Sequence, residues 1–247
     1  VIQGSNVKIT GCSVRDATTG ILIDNDTSRD VIISDTLVQL EDSNGMTGIK
    51  LYGERHSVSN CDIWNWRTNG AYNPGDEPTG IDVPTGMLIS ISDTRIRNFI
   101  NTQNPALALG YSIYFQGMGG SSWESCTVSN CVLEDNGMEI APSSVRFQIS
   151  NCDIKGTWGN GLTARPLIKI GNGAKATSIV GNSLDCNESH THGIYFSGGD
   201  NYGHNILVDA NQIVAFSDYG ILFDNRWRDW NRKNRVCIGK NTTRFWL

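Results

Sequence analysis

Short stretches in which apolar and polar positions alternate recur along the whole chain, and each runs into a small residue followed by one more aliphatic. Val7-Lys8-Ile9 leads to Cys12, Val58 to Cys61, Ile89-Ser90-Ile91 to Thr94, Cys126-Thr127-Val128 to Cys131, and Phe147-Gln148-Ile149 to Cys152. Nine such stretches end in Cys12, Thr36, Cys61, Thr94, Cys131, Cys152, Ser183, Asn211 and Asn241, spaced 21 to 37 residues apart. Self-similarity at that period is the mark of a solenoid, in which each repeat buries its apolar face only against its neighbours.

A second alternating motif interleaves with the first. It reads Gly20-Ile21-Leu22-Ile23, Gly48-Ile49-Lys50-Leu51, Gly80-Ile81-Asp82-Val83, Ser112-Ile113-Tyr114-Phe115, Met138-Glu139-Ile140, Ile168-Lys169-Ile170, Gly193-Ile194-Tyr195-Phe196 and Gly220-Ile221-Leu222-Phe223. Each repeat therefore carries at least two strands, and no amphipathic run is long enough to compete as a helix. Leucine-rich repeats need a leucine consensus, and propeller blades need four strands per unit. The pattern predicts an all-β fold, a right-handed parallel β-helix of about nine coils, with successive coils stacked about 4.8 Å apart. Residues 1–247 are expected to form one rod roughly 40 Å long, a fragment of a longer chain because the pattern is already under way at Val1.

Stacking turns distant residues into neighbours. Cys12, Cys61, Cys131 and Cys152 share one phase of the repeat, which predicts an interior stack with Thr36, Thr94, Ser183 and Asn211. Seven cysteines in all, an odd number held at a fixed phase, point to reduced thiols packed as small hydrophobes, and so to synthesis in a reducing cytoplasm. A net charge of −5 excludes nucleic acid as the main partner, and no apolar stretch is long enough to cross a membrane as a helix. Phosphate-loop, dinucleotide and zinc spacings are absent, so no cofactor is expected.

Function is expected where the repeat is violated. Insertions follow Cys61 and Thr94, and the first carries Trp64, Trp66 and Arg67, with Asp76 and Glu77 further on. A third, after Cys152, carries Trp158 and a glycine-rich stretch. Loops projecting from one edge of a stack can wall a groove, and indoles facing solvent are costly unless they stack on a sugar or a partner. Beneath them the second motif sets an outward column of Leu22, Lys50, Asp82, Tyr114, Glu139, Lys169, Tyr195 and Leu222. Asp82 and Glu139, two coils apart with Tyr114 between, would have Cβ atoms about 9 to 10 Å apart. Carboxyl pairs separated by roughly 6.5 to 9.5 Å suit an inverting glycoside hydrolase. Cross-coil salt bridges that merely keep a sheet soluble are the competing reading of the same charges.

Other constellations are weaker. Asp62 with Glu134, or Asp76 with Glu77, could replace the first pair. His190 and His192, near Asp185 and Glu188, could hold a metal, but turn histidines that only hydrogen-bond are far commoner, so no metal site is expected. The run from Arg226 to Arg235 interleaves cations with Trp227 and Trp230, fitting an acidic sugar or a subunit contact.

The segments Val-Ser-Asn-Cys-Asp-Ile (58–63), Val-Ser-Asn-Cys-Val-Leu (128–133) and Ile-Ser-Asn-Cys-Asp-Ile (149–154), each followed by a strand of the second motif, resemble the pectate-lyase-like β-helix superfamily. Within it they are similar to bacteriophage tailspike and appendage proteins, across essentially the whole chain. The resemblance implies a homotrimer of side-by-side β-helices in a virion tail, or else a secreted protein, that binds and often cleaves a bacterial surface polysaccharide, either capsule or lipopolysaccharide. Catalytic carboxylates in that superfamily have no fixed signature, so none is transferred. The Asn-Thr-Asp, Asp-Asp and Gly-His-Gly set of polygalacturonases is missing, with only Arg95-Ile96-Arg97 as a faint echo, and so is the Asp-Pro-His-Asp of alginate epimerases. The expected activity is endo-glycosidic hydrolysis by Asp82 and Glu139 around Tyr114, with Trp64, Trp66, Arg67, Arg97, Trp158, Lys169 and Tyr195 holding sugars. Binding without cleavage is the first alternative. A lyase, with Asp82 and Glu139 as the carboxylates and Arg97 as the base, or an epimerase is the second.

Overall fold

The computed structural model describes residues 1–40, 47–65, 78–99, 110–116, 125–135, 137–140, 146–156, 166–171, 174–187, 192–197, 205–216, 218–224 and 236–244. These form a right-handed parallel β-solenoid, and every strand pairs in parallel with its counterpart in the next coil. Two sheets have nine strands and the third has eight. A coil contributes one strand to each. The first sheet runs from Lys8–Thr10 to Val236–Ile238, the second from Ser13–Arg15 to Thr242–Arg244, and the third from Thr19–Ile23 to Tyr219–Phe223. No helix occurs among the described residues.

Three strands per coil, rather than two, arise because the first motif folds as two. A single left-handed residue separates the strands of the first and second sheets: Asp35, Asn60, Asp93, Asn130 and Asn151 all have φ between 50° and 55°. Asn and Asp tolerate that conformation better than other side chains with a Cβ, and Gly11 and Gly181 occupy equivalent corners. One left-handed residue turns the chain sharply without ending the cross-coil ladder.

The small residue after each corner points inward. Thr36, Cys61, Thr94, Cys131 and Cys152 are buried, and each bonds the carbonyl two residues earlier, as in Thr94 Oγ1 to Ser92 O at 2.8 Å. Cys12 makes the same bond, to Thr10 O at 3.5 Å, but is exposed. One expectation needs correction. In the seventh coil the stack is continued by Asn182 and not by Ser183, which is exposed. Asn182, Asn211 and Asn241 form a ladder, with Asn182 Nδ2 donating to Asn211 Oδ1 at 2.9 Å and Asn211 Nδ2 to Asn241 Oδ1 at 3.0 Å. The six described cysteines are free thiols, and burial pushes Cys126 up to about 11 and Cys186 up to about 12.

Inside, like side chains stack by register. Val38, Ile63, Ile96, Leu133, Ile154, Leu184 and Ile213 line the second sheet, all with no exposed surface. Each such residue stabilises the fold by about 1.5–3 kcal/mol relative to its exposed state. The glycine opening most third-sheet strands serves this packing. A Cβ at Gly80 would lie 2.6 Å from Ser112 O and still closer to Ile96 Cγ2, so the corner between the second and third sheets closes only without one.

Candidate active site

The third sheet carries the outward column in the register the alternation implies. Leu22 pairs with Lys50, Lys50 with Asp82, Asp82 with Tyr114, Tyr114 with Glu139, Glu139 with Lys169, Lys169 with Tyr195, and Tyr195 with Leu222. Asp82 and Glu139 therefore stand on opposite sides of Tyr114. Two strand spacings separate them, about 9 to 10 Å between Cβ atoms.

Their surroundings differ. Asp82 is only 4% exposed; Gln116 Nε2 donates to its Oδ1 at 2.6 Å, and Lys50 Nζ lies 3.3 Å from Oδ2. Burial pushes the Asp82 carboxyl above the usual carboxylate range, and Lys50 and Gln116 only partly offset it. Glu139 is more open, its side chain 15% exposed. Lys169 Nζ donates to its Oε1 at 2.8 Å, and the Tyr111 hydroxyl donates to Oε2 at 2.8 Å. Burial shifts one carboxyl of the column upward, and the other is held by a cation and a phenol. Lys50 further lies 5.5 Å from the Tyr52 ring centroid, a cation over an aromatic face.

Aromatic rings cover the same face. Tyr111 and Tyr114 stack with centroids 4.5 Å apart and planes at 18°. The His192 ring lies 5.8 Å from that of Tyr195 and 5.9 Å from that of Tyr219, which is 52% exposed. The Tyr195 hydroxyl reaches Asp224 Oδ2 at 3.4 Å. Sequence reasoning missed Tyr111 and Gln116. Strict alternation puts a residue three positions before Tyr114 on the other face, but the inward-turning position between them, occupied by Ser112 here and by glycine in most coils, brings Tyr111 to the same side. Gln116 could have been found, since it lies two positions after Tyr114 and shares its face.

Trp64 and Arg97 are brought together, but on the second sheet rather than beside the carboxylates. They pair in register, and the Arg97 guanidinium sits 4.9 Å from the Trp64 ring centroid while donating to Asp62 at 3.0 Å. Arg95 Nη2 lies 2.8 Å from Glu134 Oε1. The alternative carboxyl pair, Asp62 and Glu134, is thus absorbed into two surface ion pairs with arginines.

Trp66, Arg67, Trp158, Asp76, Glu77, His190 and the run 226–235 lie outside the described residues. Only the described strands that flank such stretches are placed. Residues 66–78 join Asp62–Asn65 to Thr79–Val83, residues 98–110 join Arg95–Arg97 to Tyr111–Phe115, and residues 157–167 join Asp153–Gly156 to Ile168–Ile170. All three pass from the second sheet to the third. Among the described residues no cluster of three or more His, Cys, Asp or Glu could hold a metal.

No protein-family model and no curated protein matches the chain. Solved structures do. One is a tailspike double mutant from E. coli bacteriophage HK620 in complex with a pentasaccharide, with a TM-score of 0.54 and 11% identity over 98% of this chain and 54% of that one. The Dettilon tailspike protein gp208 gives a TM-score of 0.51 and 16% identity, covering 95% of this chain and 54% of its own. The A-module of the Azotobacter vinelandii mannuronan C-5 epimerase AlgE4 gives 0.43 at 13% identity, covering 98% of this chain and 62% of its own. The chain spans about half the length of the two tailspikes it matches. At these identities the likeness is one of fold: the chain is a parallel β-helix that shares the fold of the two bacteriophage tailspikes.

Proposed function

We propose that the chain is the β-helical part of a phage tailspike-type protein that binds a bacterial surface polysaccharide on the outward face of its third sheet and cleaves it by endo-glycosidic hydrolysis. The observation that carries the reading is the column Lys50, Asp82, Tyr114, Glu139, Lys169, in which two carboxyls in unlike surroundings flank an aromatic ring. Asp82, whose burial favours the protonated form, donates its proton to the glycosidic oxygen as that bond breaks. Glu139 accepts a proton from a water whose oxygen bonds the anomeric carbon from the opposite face, giving a product of inverted configuration. Tyr114 and Tyr195 supply ring faces for sugars, and Lys169 holds Glu139 in place. Trp66, Arg67 and Trp158 extend the grip. Trp64 and Arg97 contact only a glycan that rounds the corner between the second and third sheets. The tailspike structure from phage HK620 holds a pentasaccharide, which supports a glycan as the ligand of this fold. The homotrimer, the virion-tail location and synthesis in the host cytoplasm belong to the same proposal.

Binding without cleavage is the second reading, and one observation favours it: both carboxyls are already engaged by lysines. The two separate in one assay. The protein is incubated with a panel of purified capsular polysaccharides and lipopolysaccharide O-chains, and reducing ends and the ultraviolet absorbance of unsaturated uronates are followed. Hydrolysis gives reducing ends without absorbance, whereas a lyase gives both. Asp82→Asn and Glu139→Gln are each expected to lower the release of reducing ends at least 100-fold while the glycan still binds. Full activity in both variants would show that the chemistry lies elsewhere.

A further inference from the structure

The hydroxyl of Tyr111 is the second hand on Glu139. Glu139 sits on the short strand Met138–Ile140, and its side chain has rotatable bonds that its backbone does not fix. Two donors fix them: Lys169 from the next coil bonds Oε1, and Tyr111 from the preceding coil bonds Oε2, each at 2.8 Å. They approach from opposite directions along the coil axis, so the plane of the carboxylate is set between them. Tyr111 is itself immobilised, being 9% exposed with its ring stacked on Tyr114 at 4.5 Å. Each carboxylate oxygen has two lone pairs, so one donor per oxygen leaves room for a water on both.

We infer that Tyr111 is a positioning residue for hydrolysis, its phenol orienting the Glu139 carboxylate so that a free lone pair faces the attacking water. The inference rests on the reading of Glu139 as the base. The ring and the hydroxyl have separate tasks: the ring packs on Tyr114, and the hydroxyl alone addresses the carboxylate. Tyr111→Phe removes the second and keeps the first.

The test compares wild type, Tyr111→Phe, Glu139→Gln and the double variant on whichever polysaccharide of the panel the wild type cleaves, with kcat, KM and the thermal unfolding midpoint of each. Tyr111→Phe is expected to lower kcat at least about tenfold, the scale of one hydrogen bond to a charged group, with KM within twofold and the midpoint little changed. In the double variant the loss is expected not to exceed that of Glu139→Gln alone, because the hydroxyl acts only through that carboxylate. A purely structural role would instead shift the midpoint, or add its loss to that of Glu139→Gln. If Tyr111→Phe turns over like wild type while Glu139→Gln is inactive, the positioning role is wrong and the base assignment stands. If Glu139→Gln is fully active, or the wild type cleaves nothing on the panel, the base assignment fails and the role of Tyr111 with it.

Discussion

Asp82 occupies an outward position yet is buried, and that contradiction is the most consequential local feature of the chain. A carboxyl taken out of water pays a desolvation cost that Lys50 and Gln116 do not fully offset, so its folded-state pKa lies above 3.8. The sign of the pH effect follows. As pH falls through the raised value the folded state takes up a proton before the unfolded state does, so acidification stabilises the fold at this residue until about 3.8 is passed. Asp82→Asn is neutral throughout. It is expected to unfold at a higher temperature than wild type at pH 7, with the gap shrinking as pH is lowered through the Asp82 titration. Thermal unfolding of both proteins across pH checks this, and a gap of opposite sign, or one independent of pH, would show that burial does not dominate. At this scale the sequence was legible where alternation is strict, as in the column from Leu22 to Leu222. It was not legible where the chain bends: nothing in a letter count says that Tyr111 and Tyr114, three apart, share a face.

Among the elements, the corner between the first and second sheets changes its chemistry along the rod. In the early and middle coils it is filled by Thr36, Cys61, Thr94, Cys131 and Cys152, and towards the other end by Asn182, Asn211 and Asn241. An asparagine ladder is a closed set of bonds. Asn211 donates to Ile179 O at 2.9 Å and to Asn241 Oδ1, while its own Oδ1 accepts from both the backbone and the side chain of Asn182. Removing one rung leaves buried groups of its neighbours unpaired. Asn211→Ala is therefore expected to lose about 3 kcal/mol of stability, whereas Ser183→Ala, at an exposed position, loses less than about 0.5 kcal/mol. Denaturant unfolding checks both, and adding Asn182→Ala beside Ser183→Ala decides between Asn182 and Ser183 as the stack member. The one-residue error there has a physical source. Spacing alone cannot tell which of two adjacent small polar residues follows the left-handed corner, and in Gly181-Asn182-Ser183 the corner itself is a glycine rather than the Asn or Asp of most coils. The division of the first motif into two short strands was hidden for a related reason: a single left-handed Asn or Asp interrupts the chain direction without interrupting the apolar pattern.

For the molecule as a whole, parallel coils present two distinct outer faces of interest. The third sheet carries the unlike carboxyls and the tyrosines, and the second carries Trp64 stacked by Arg97 with the ion pairs of Asp62 and Glu134. Sequence reasoning merged them into one site because it had no way to count the corner between Trp64 and Asp82. The stack of parallel coils was legible, since stacking requires the same residue types at the same phase, and its outward columns followed. The most direct measurement is a crystal structure of Glu139→Gln with an oligosaccharide from the polysaccharide it binds. The account predicts sugar rings on the third sheet over Tyr114, with a glycosidic oxygen within hydrogen-bonding reach of Asp82. Sugar bound only around Trp64 and Arg97 on the second sheet would contradict it.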